Sequence, residues 1–256
     1  ADAETSPTTA STEPKLSKNA LKRLKKDQSW EAKKEQRKVK RKAEKQKRQA
    51  NKRARVEAGE LPEAVFKPRF ARNPQPSGVT IIIDMSFNDL MSDVEIKSMA
   101  RQLGRCYSVN KRSERPAELV IASLTGKMKD SLTHSFPGHA NWEPSHVRLE
   151  SKDMTELYPK DRLVYLSADS TTCIDTLSKD DVYIIGGLVD KNRYKNLTLN
   201  KAKELGIRTA QLPIGQYVEM ASRKVITVNQ VYEILAGHLE GATWEKAFLD
   251  VIPKRK

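Results

Sequence analysis

The stretch Tyr183–Asn192 reads YIIGGLVDKN: an apolar run, two glycines, and then a carboxylate among polar residues. A carboxylate at a strand end, here Asp190, can accept or orient a proton. It can equally cap a helix starting near Asn192. Two more loops have the same character, LSADS (166–170) and LPIGQY (212–217). In an open parallel sheet, ligands bind beyond the carboxyl ends of the strands, so three such loops outline a candidate pocket. The pattern leaves its occupant open. No GxGxxG or GxxxxGK[ST] occurs, so neither a dinucleotide fingerprint nor a P-loop is indicated. Gly186 and Gly187 suit an unusual φ and close approach of a flat ligand, or an ordinary tight turn.

Other side chains with chemical potential are scattered. Gln102 and Arg105 lie three apart on one face of a predicted helix, which is either functional or a solvated surface. Lys111 and Arg112 lie at the end of that helix and suit phosphate contacts, while Arg193 and Lys195 flank the Asp190 loop. His134, His139 and His146 fall in or beside one loop-rich stretch, THSFPGHANWEPSH. Their spacing is loose and no Cys or carboxylate cluster joins them, so no metal site is expected. Cys106 and Cys173 stand far apart without a CxxC pair, which points to a reducing compartment. Trp142 and Trp244 read as packing residues, with base stacking an alternative for Trp142.

These residues need a frame. Short apolar runs alternate with helical stretches, the pattern of an α/β sheet. Strands are predicted at 79–84 (VTIIID), 118–124, 146–150, 162–169, 181–189 and 207–214. Helices are predicted at 89–112, with Val94, Ile96, Met99, Leu103 and Cys106 on one side, and at 192–206, stopped by Gly206. A terminal helix is predicted at 227–240, with Thr227 as its cap and Val228, Val231, Ile234, Leu235 and Leu239 along one face.

Charge is unevenly distributed over the 256 residues, whose net charge is +14. Residues 15–57 hold 19 Lys/Arg against 5 Asp/Glu and contain neither Gly nor Pro. Such a composition favours helix, ended by Gly59 and Pro62. Apolar residues are too few for a stripe that packs on a core. A disordered basic tail or a nuclear-localisation patch is the alternative. In each case the cation density suits a polyanion, through counterion release. A membrane surface is disfavoured because the arm lacks an apolar face. No run of 18 apolar residues exists, so no transmembrane helix is expected. Residues 1–14 are rich in Thr, Ser, Ala and Pro; disorder is expected there, and they lack the apolar core of a signal peptide. The domain expectation is therefore 1–14 disordered, 15–62 a basic arm, and 63–256 a globular α/β domain.

The segments YLSADS, DDVYIIGGLVDKNRYKNLTLNKAKELGIRTAQLPIGQY and ITVNQVYEIL together closely resemble the tRNA (guanine-9-N1)-methyltransferase family of the SPOUT superfamily. IIIDMSFNDLM and CYSVNKR are similar to the N-terminal half of that family's domain. The resemblance covers roughly residues 65–250, and the lysine-rich arm is typical of eukaryotic members. It implies a mostly parallel sheet flanked by helices with a C-terminal deep trefoil knot. It also implies S-adenosylmethionine as cofactor, S-adenosylhomocysteine as product, tRNA as partner and action as a monomer; residence in nucleus and cytoplasm is expected, with the site of action between them open. By that analogy the cofactor contacts are Leu166, Ser167, Gly187, Val189, Asp190, Lys191, Asn192, Ala210, Leu212, Ile214, Thr227 and Val231, many through main chain. Asp190 is the catalytic candidate, with Gln102 and Arg105 as donors toward the purine O6. Lys111, Arg112, Arg193 and Lys195 are the RNA-binding candidates.

The implied product is N1-methylguanosine at position 9, with adenosine open as a second target. Guanine N1 carries a proton that must leave, whereas adenine N1 carries none. Aspartate in water has a pKa of about 3.9 and is a weak base at pH 7; a dry pocket raises that value and a nearby cation lowers it. A noncatalytic RNA-binding or ribosome-biogenesis protein with a vestigial pocket is the competing reading.

Overall fold

The computed structural model of the chain describes residues 18–60, 73–142, 145–191, 193–218 and 226–252. The disorder expected over 1–14, the helix stop at Pro62, the arm boundary at 62/63 and the Asn192 contact fall outside them. Two compact units divide the chain, 1–67 and 68–256. The first contains α1 (Lys18–Glu57), a single helix of 40 residues. Gly59 follows it with a left-handed φ of 74°. Leu24, Trp30 and Val39 are exposed along this helix, which buries no apolar face among its described residues.

The second unit is built on six parallel strands: β1 (Thr80–Asp84), β2 (Glu118–Ala122), β3 (Arg148–Leu149), β4 (Leu163–Leu166), β5 (Val182–Gly186) and β6 (Arg208–Ala210). Their order is β3-β2-β1-β5-β4-β6. The central strand, TIIID, is buried on both faces, which is why it reads as a continuous apolar run. Ile81 and Ile83 face one layer, with α2 (Asp93–Asn110), α3 (Gly126–Ser135), α6 (Ile214–Tyr217), α7 (Val228–Leu239) and α8 (Trp244–Val251). Ile82 faces the other, with α4 (Met154–Leu157) and α5 (Leu197–Leu205).

Local chemistry sets the helix ends. Ser92 and Glu95 form a capping box that starts α2, the Ser92 N–H donating to Glu95 Oε2 at 2.8 Å. Thr227 and Gln230 do the same for α7. Gly206, at φ 67°, ends α5 as its sequence position predicts. Four expectations need correction. The strand expected at 207–214 ends at Ala210, and Ile214 already opens a short helix. Val94 is not part of the α2 stripe but is 75% exposed in the first turn. The helix expected at 192–206 begins only at Leu197, because Lys191 and Asn196 adopt left-handed φ values of 53° and 57° that break the preceding turn. The strand expected at 146–150 pairs only at Arg148–Leu149. Helices α3 and α8 were not anticipated.

The β4–β5 connection runs outside β6. The Gln211 N–H donates to Thr172 O at 2.7 Å and the Ile174 N–H donates to Gln211 O at 3.0 Å. On its other side β6 pairs with β4. The chain leaving β6 therefore passes between β4 and the loop that joins β4 to β5, the local geometry that a threaded connection requires.

Candidate active site

The loops after β4, β5 and β6 converge. Together with the start of α7 they enclose one cavity of about 560 Å³. Its walls include Leu166, Ser167, Gly186, Leu188, Asp190, Leu212, Ile214, Val228 and Val231. Parallel strands permit this convergence, because all three chains leave the sheet on the same edge.

Three devices hold the loops. Ser167 uses both main chain and side chain: its N–H donates to Ala210 O at 2.9 Å, and its Oγ accepts from Thr198 Oγ1 at 3.0 Å. Asp169 Oδ2 accepts from the Asn196 N–H at 3.1 Å, tying the first loop to the start of α5. The Gly187 N–H donates to Asp84 O at 2.8 Å, tying the second loop to the end of β1. Neither Gly186 nor Gly187 has a positive φ, so the expected special backbone conformation is not their reason. The reason is room. A Cβ on Gly187 would meet Met85 Sδ at 2.4 Å and Asp84 O at 2.7 Å, and one on Gly186 would meet Thr198 Cγ2 at 2.7 Å.

Beneath the loops lies a polar knot of side chains that the sequence reading missed. The buried Asp84 carboxylate accepts from Lys201 Nζ at 2.7 Å, Tyr165 OH at 2.7 Å and the Ser86 N–H at 3.0 Å. Burial, and then the Asp84 charge, push the Tyr165 phenol well above its ordinary range, so it stays a donor. A carboxylate ending the apolar run VTIIID was the available signal. A charge there must find partners.

Asp190 lines the cavity, and its Oδ2 accepts from the Tyr194 N–H at 2.8 Å. The two sequence alternatives thus coexist: the carboxylate shapes the turn 190–194 and belongs to the cavity wall. Of the other cofactor candidates, Leu166, Ser167, Leu212, Ile214 and Val231 form the wall. Gly187, Val189, Lys191, Ala210 and Thr227 do not; each is the chain neighbour of a residue that does, namely Gly186, Leu188, Asp190, Gln211 and Val228.

The donors and cations separate from one another. Gln102 and Arg105 do not line the cavity. Gln102 is buried at 8% exposure, with its Oε1 lacking a hydrogen-bond partner, whereas Arg105 is exposed, so the two do not share one face. Lys111 and Arg112 follow α2, which runs from the carboxyl edge of β1 to the amino edge of β2. They therefore lie at the opposite edge of the sheet from the cavity. Lys195 lines the cavity. Arg193 is engaged: its guanidinium donates to both carboxylate oxygens of Glu95, at 3.0 and 3.1 Å, and to Leu90 O at 3.2 Å. That pairing, with the capping hydrogen bonds, holds the Glu95 carboxyl down at about 2.

Trp244 is buried, stacked on His238 at 3.9 Å, and donates from Nε1 to Asp175 O. Trp142 stacks on Tyr107 at 4.3 Å. Burial pushes the Cys106 thiol up, and Cys173 is exposed. Among the described residues no group of three His, Cys, Asp or Glu could hold a metal, and no helix is long and apolar enough to cross a membrane.

The mostly parallel sheet flanked by helices matches the SPOUT fold of Trm10 crystal structures. The chain is 43% identical over its whole length to a tRNA (guanine(9)-N1)-methyltransferase from Schizosaccharomyces pombe, covering 84% of that protein. It is also 43% identical over 94% of its length to tRNA methyltransferase 10 homolog A of Xenopus tropicalis, covering 71% of it. The crystal structure of spTrm10(74) superposes with a TM-score of 0.68 at 44% identity, over 72% of this chain and 99% of that one. Full-length spTrm10 in complex with SAH gives 0.66 at 45% identity, over 71% and 98%. The family model for tRNA (guanine(9)-N(1))-methyltransferase TRM10/TRM10A matches residues 14–256. The chain belongs to the tRNA (guanine(9)-N(1))-methyltransferase family.

Proposed function

We propose that the protein is an S-adenosylmethionine-dependent tRNA methyltransferase that forms N1-methylguanosine at position 9. The convergence of the three loops on a single cavity carries this reading. The buried apolar residues Leu166, Ile185, Leu212, Ile214 and Val228 suit a flat adenine. Main-chain groups around Ser167, Gly187, Val189, Lys191, Ala210 and Thr227 suit its polar edges, and the room kept by Gly186 and Gly187 fixes where those groups lie. A walled cavity of this size argues against a vestigial pocket.

When bound, the cofactor supplies a methyl group already activated on a sulfonium. The chain must hold the purine N1 in line with it and manage one proton. Asp190 orients or accepts the guanine N1–H, and the Tyr194 N–H bond fixes the carboxylate for that task. Lys195, at the cavity wall, suits the tRNA backbone. Gln102 is a weak candidate donor: it does not line the cavity, and its unpaired buried atom is the acceptor Oε1, which would take an N–H and not donate to the purine O6. Arg105, Lys111, Arg112 and Arg193 are weaker candidates. The first three lie away from the cavity, and the last is held by Glu95.

The basic helix α1 suits the polyanionic substrate and nuclear import alike. We accordingly propose action in nucleus and cytoplasm, and as a monomer whose arm supplies what a second subunit would.

The test is nucleoside mass analysis of tRNA incubated with the protein and S-adenosylmethionine. N1-methylguanosine is expected from the wild type, with a rate lowered at least tenfold in Asp190→Asn at unchanged tRNA affinity. Absence of the modified nucleoside from the wild-type reaction refutes the proposal.

A further inference from the structure

A flat base taken out of the tRNA stack loses stacking energy and needs a surface that holds its plane. The cavity wall contains one aromatic residue among those described, Tyr194. Its exposure distinguishes it from the apolar part of the wall. Leu166, Ile185, Leu212, Ile214 and Val228 are each 9% exposed or less, whereas Tyr194 is 38% exposed. The ring therefore sits at the mouth, where a macromolecular substrate arrives, and not in the interior that suits the cofactor. It also belongs to the turn that presents Asp190, since its own N–H donates to that carboxylate at 2.8 Å.

The ring is held. The Arg193 guanidinium lies over it, 5.2 Å from the centroid, and is itself locked by its two bonds to Glu95 and one to Leu90 O. The Tyr194 hydroxyl approaches the same Leu90 carbonyl at 3.5 Å. A cation stacked on an aromatic ring leaves the ring's remaining surface for a third planar partner. We propose that Tyr194 is the stacking platform for the target purine, completing a stack of Arg193, Tyr194 and base. The inference rests on the function proposed above. It explains why Arg193, though cationic and near the site, is committed to Glu95: the guanidinium backs the platform and does not reach for phosphate.

The experiment compares wild type, Tyr194→Phe and Tyr194→Ala on a tRNA transcript carrying guanosine at position 9. Stacking on an aromatic side chain implies that Tyr194→Ala lowers kcat/KM for tRNA roughly five- to hundredfold, while Tyr194→Phe stays within about twofold of wild type. Calorimetric affinity for S-adenosylmethionine is unchanged in both. On a second transcript with 2-aminopurine at position 9, the bound base stays quenched with wild type and Tyr194→Phe and brightens with Tyr194→Ala. Equal kcat/KM for the Ala and Phe variants overturns the inference, as does a cofactor affinity that falls in step with activity in Tyr194→Ala, which assigns the ring to the cofactor. If the wild type itself does not methylate tRNA, the functional proposal fails first and independently.

Discussion

Replacing Gly187 by alanine tests how the second loop is held. The added Cβ would lie 2.4 Å from Met85 Sδ and 2.7 Å from Asp84 O. The methionine can rotate, but the carbonyl belongs to the end of the central strand and accepts the Gly187 N–H at 2.8 Å. The loop must therefore lift off β1 and stretch or lose that bond. Overpacking costs about 1–3 kcal/mol and the hydrogen bond about 1 kcal/mol, so a loss of about 2–4 kcal/mol is expected. For a domain of this size that lowers Tm by roughly 5–15 °C. Because the lifted segment leads to Leu188 and Asp190 in the cavity wall, affinity for S-adenosylmethionine should also fall about tenfold or more. Gly138 supplies the control. A Cβ there meets nothing within 4 Å and its φ is not positive, so Gly138→Ala should lie within about 0.5 kcal/mol of wild type. Thermal unfolding and calorimetry on both variants decide the matter. If Gly187→Ala melts and binds like Gly138→Ala, close packing against β1 is not why glycine stands at 187.

Three further outcomes are expected. Lys201→Met should cost about 3–5 kcal/mol by leaving the buried Asp84 carboxylate without its cation, and adding Asp84→Asn should recover part of that loss in chemical denaturation. The Glu95 carboxyl should titrate at about 2 by NMR and return toward its ordinary 4.5 in Arg193→Ala. Since folding lowers this value, the stabilisation is complete above pH 4.5 and is lost as pH falls toward 2, so an acid-stability difference between wild type and Arg193→Ala should close below that window. Deleting residues 15–57 should weaken tRNA binding and flatten its dependence on salt, because the deleted arm holds 19 of the 47 Lys/Arg; unchanged binding would assign the contacts to the globular unit alone.

The legible parts of the sequence were those governed by short-range rules. TIIID announced a central strand because nothing polar interrupts it until Asp84. Thr227 and Gly206 marked helix ends through capping chemistry that depends on a few neighbouring residues. What escaped depends on distant partners. Helix α3 buries only Met128 and Leu132, too few for a visible period. The partnership of Asp84 with Tyr165 and Lys201 spans 81 and 117 residues of sequence. The two glycines were read for an unusual φ, for close approach of a ligand or for a tight turn, yet the constraint comes from Met85 and Thr198 packed against them. Gln102 and Arg105 looked like one face because three residues nearly complete a helical turn, but the boundary between buried and solvent-facing sides of α2 falls between them.

The loops after β4, β5 and β6 must enclose the cofactor if the protein works as proposed. Calorimetric titration of S-adenosylmethionine into wild type and Leu212→Trp, with melting temperatures to verify folding, asks this directly, since the larger ring must occupy the cavity that Leu212 lines. One site per chain in the wild type, and its loss in a folded Leu212→Trp, is the predicted result. Undiminished binding by that folded variant would put the cofactor elsewhere and contradict the account.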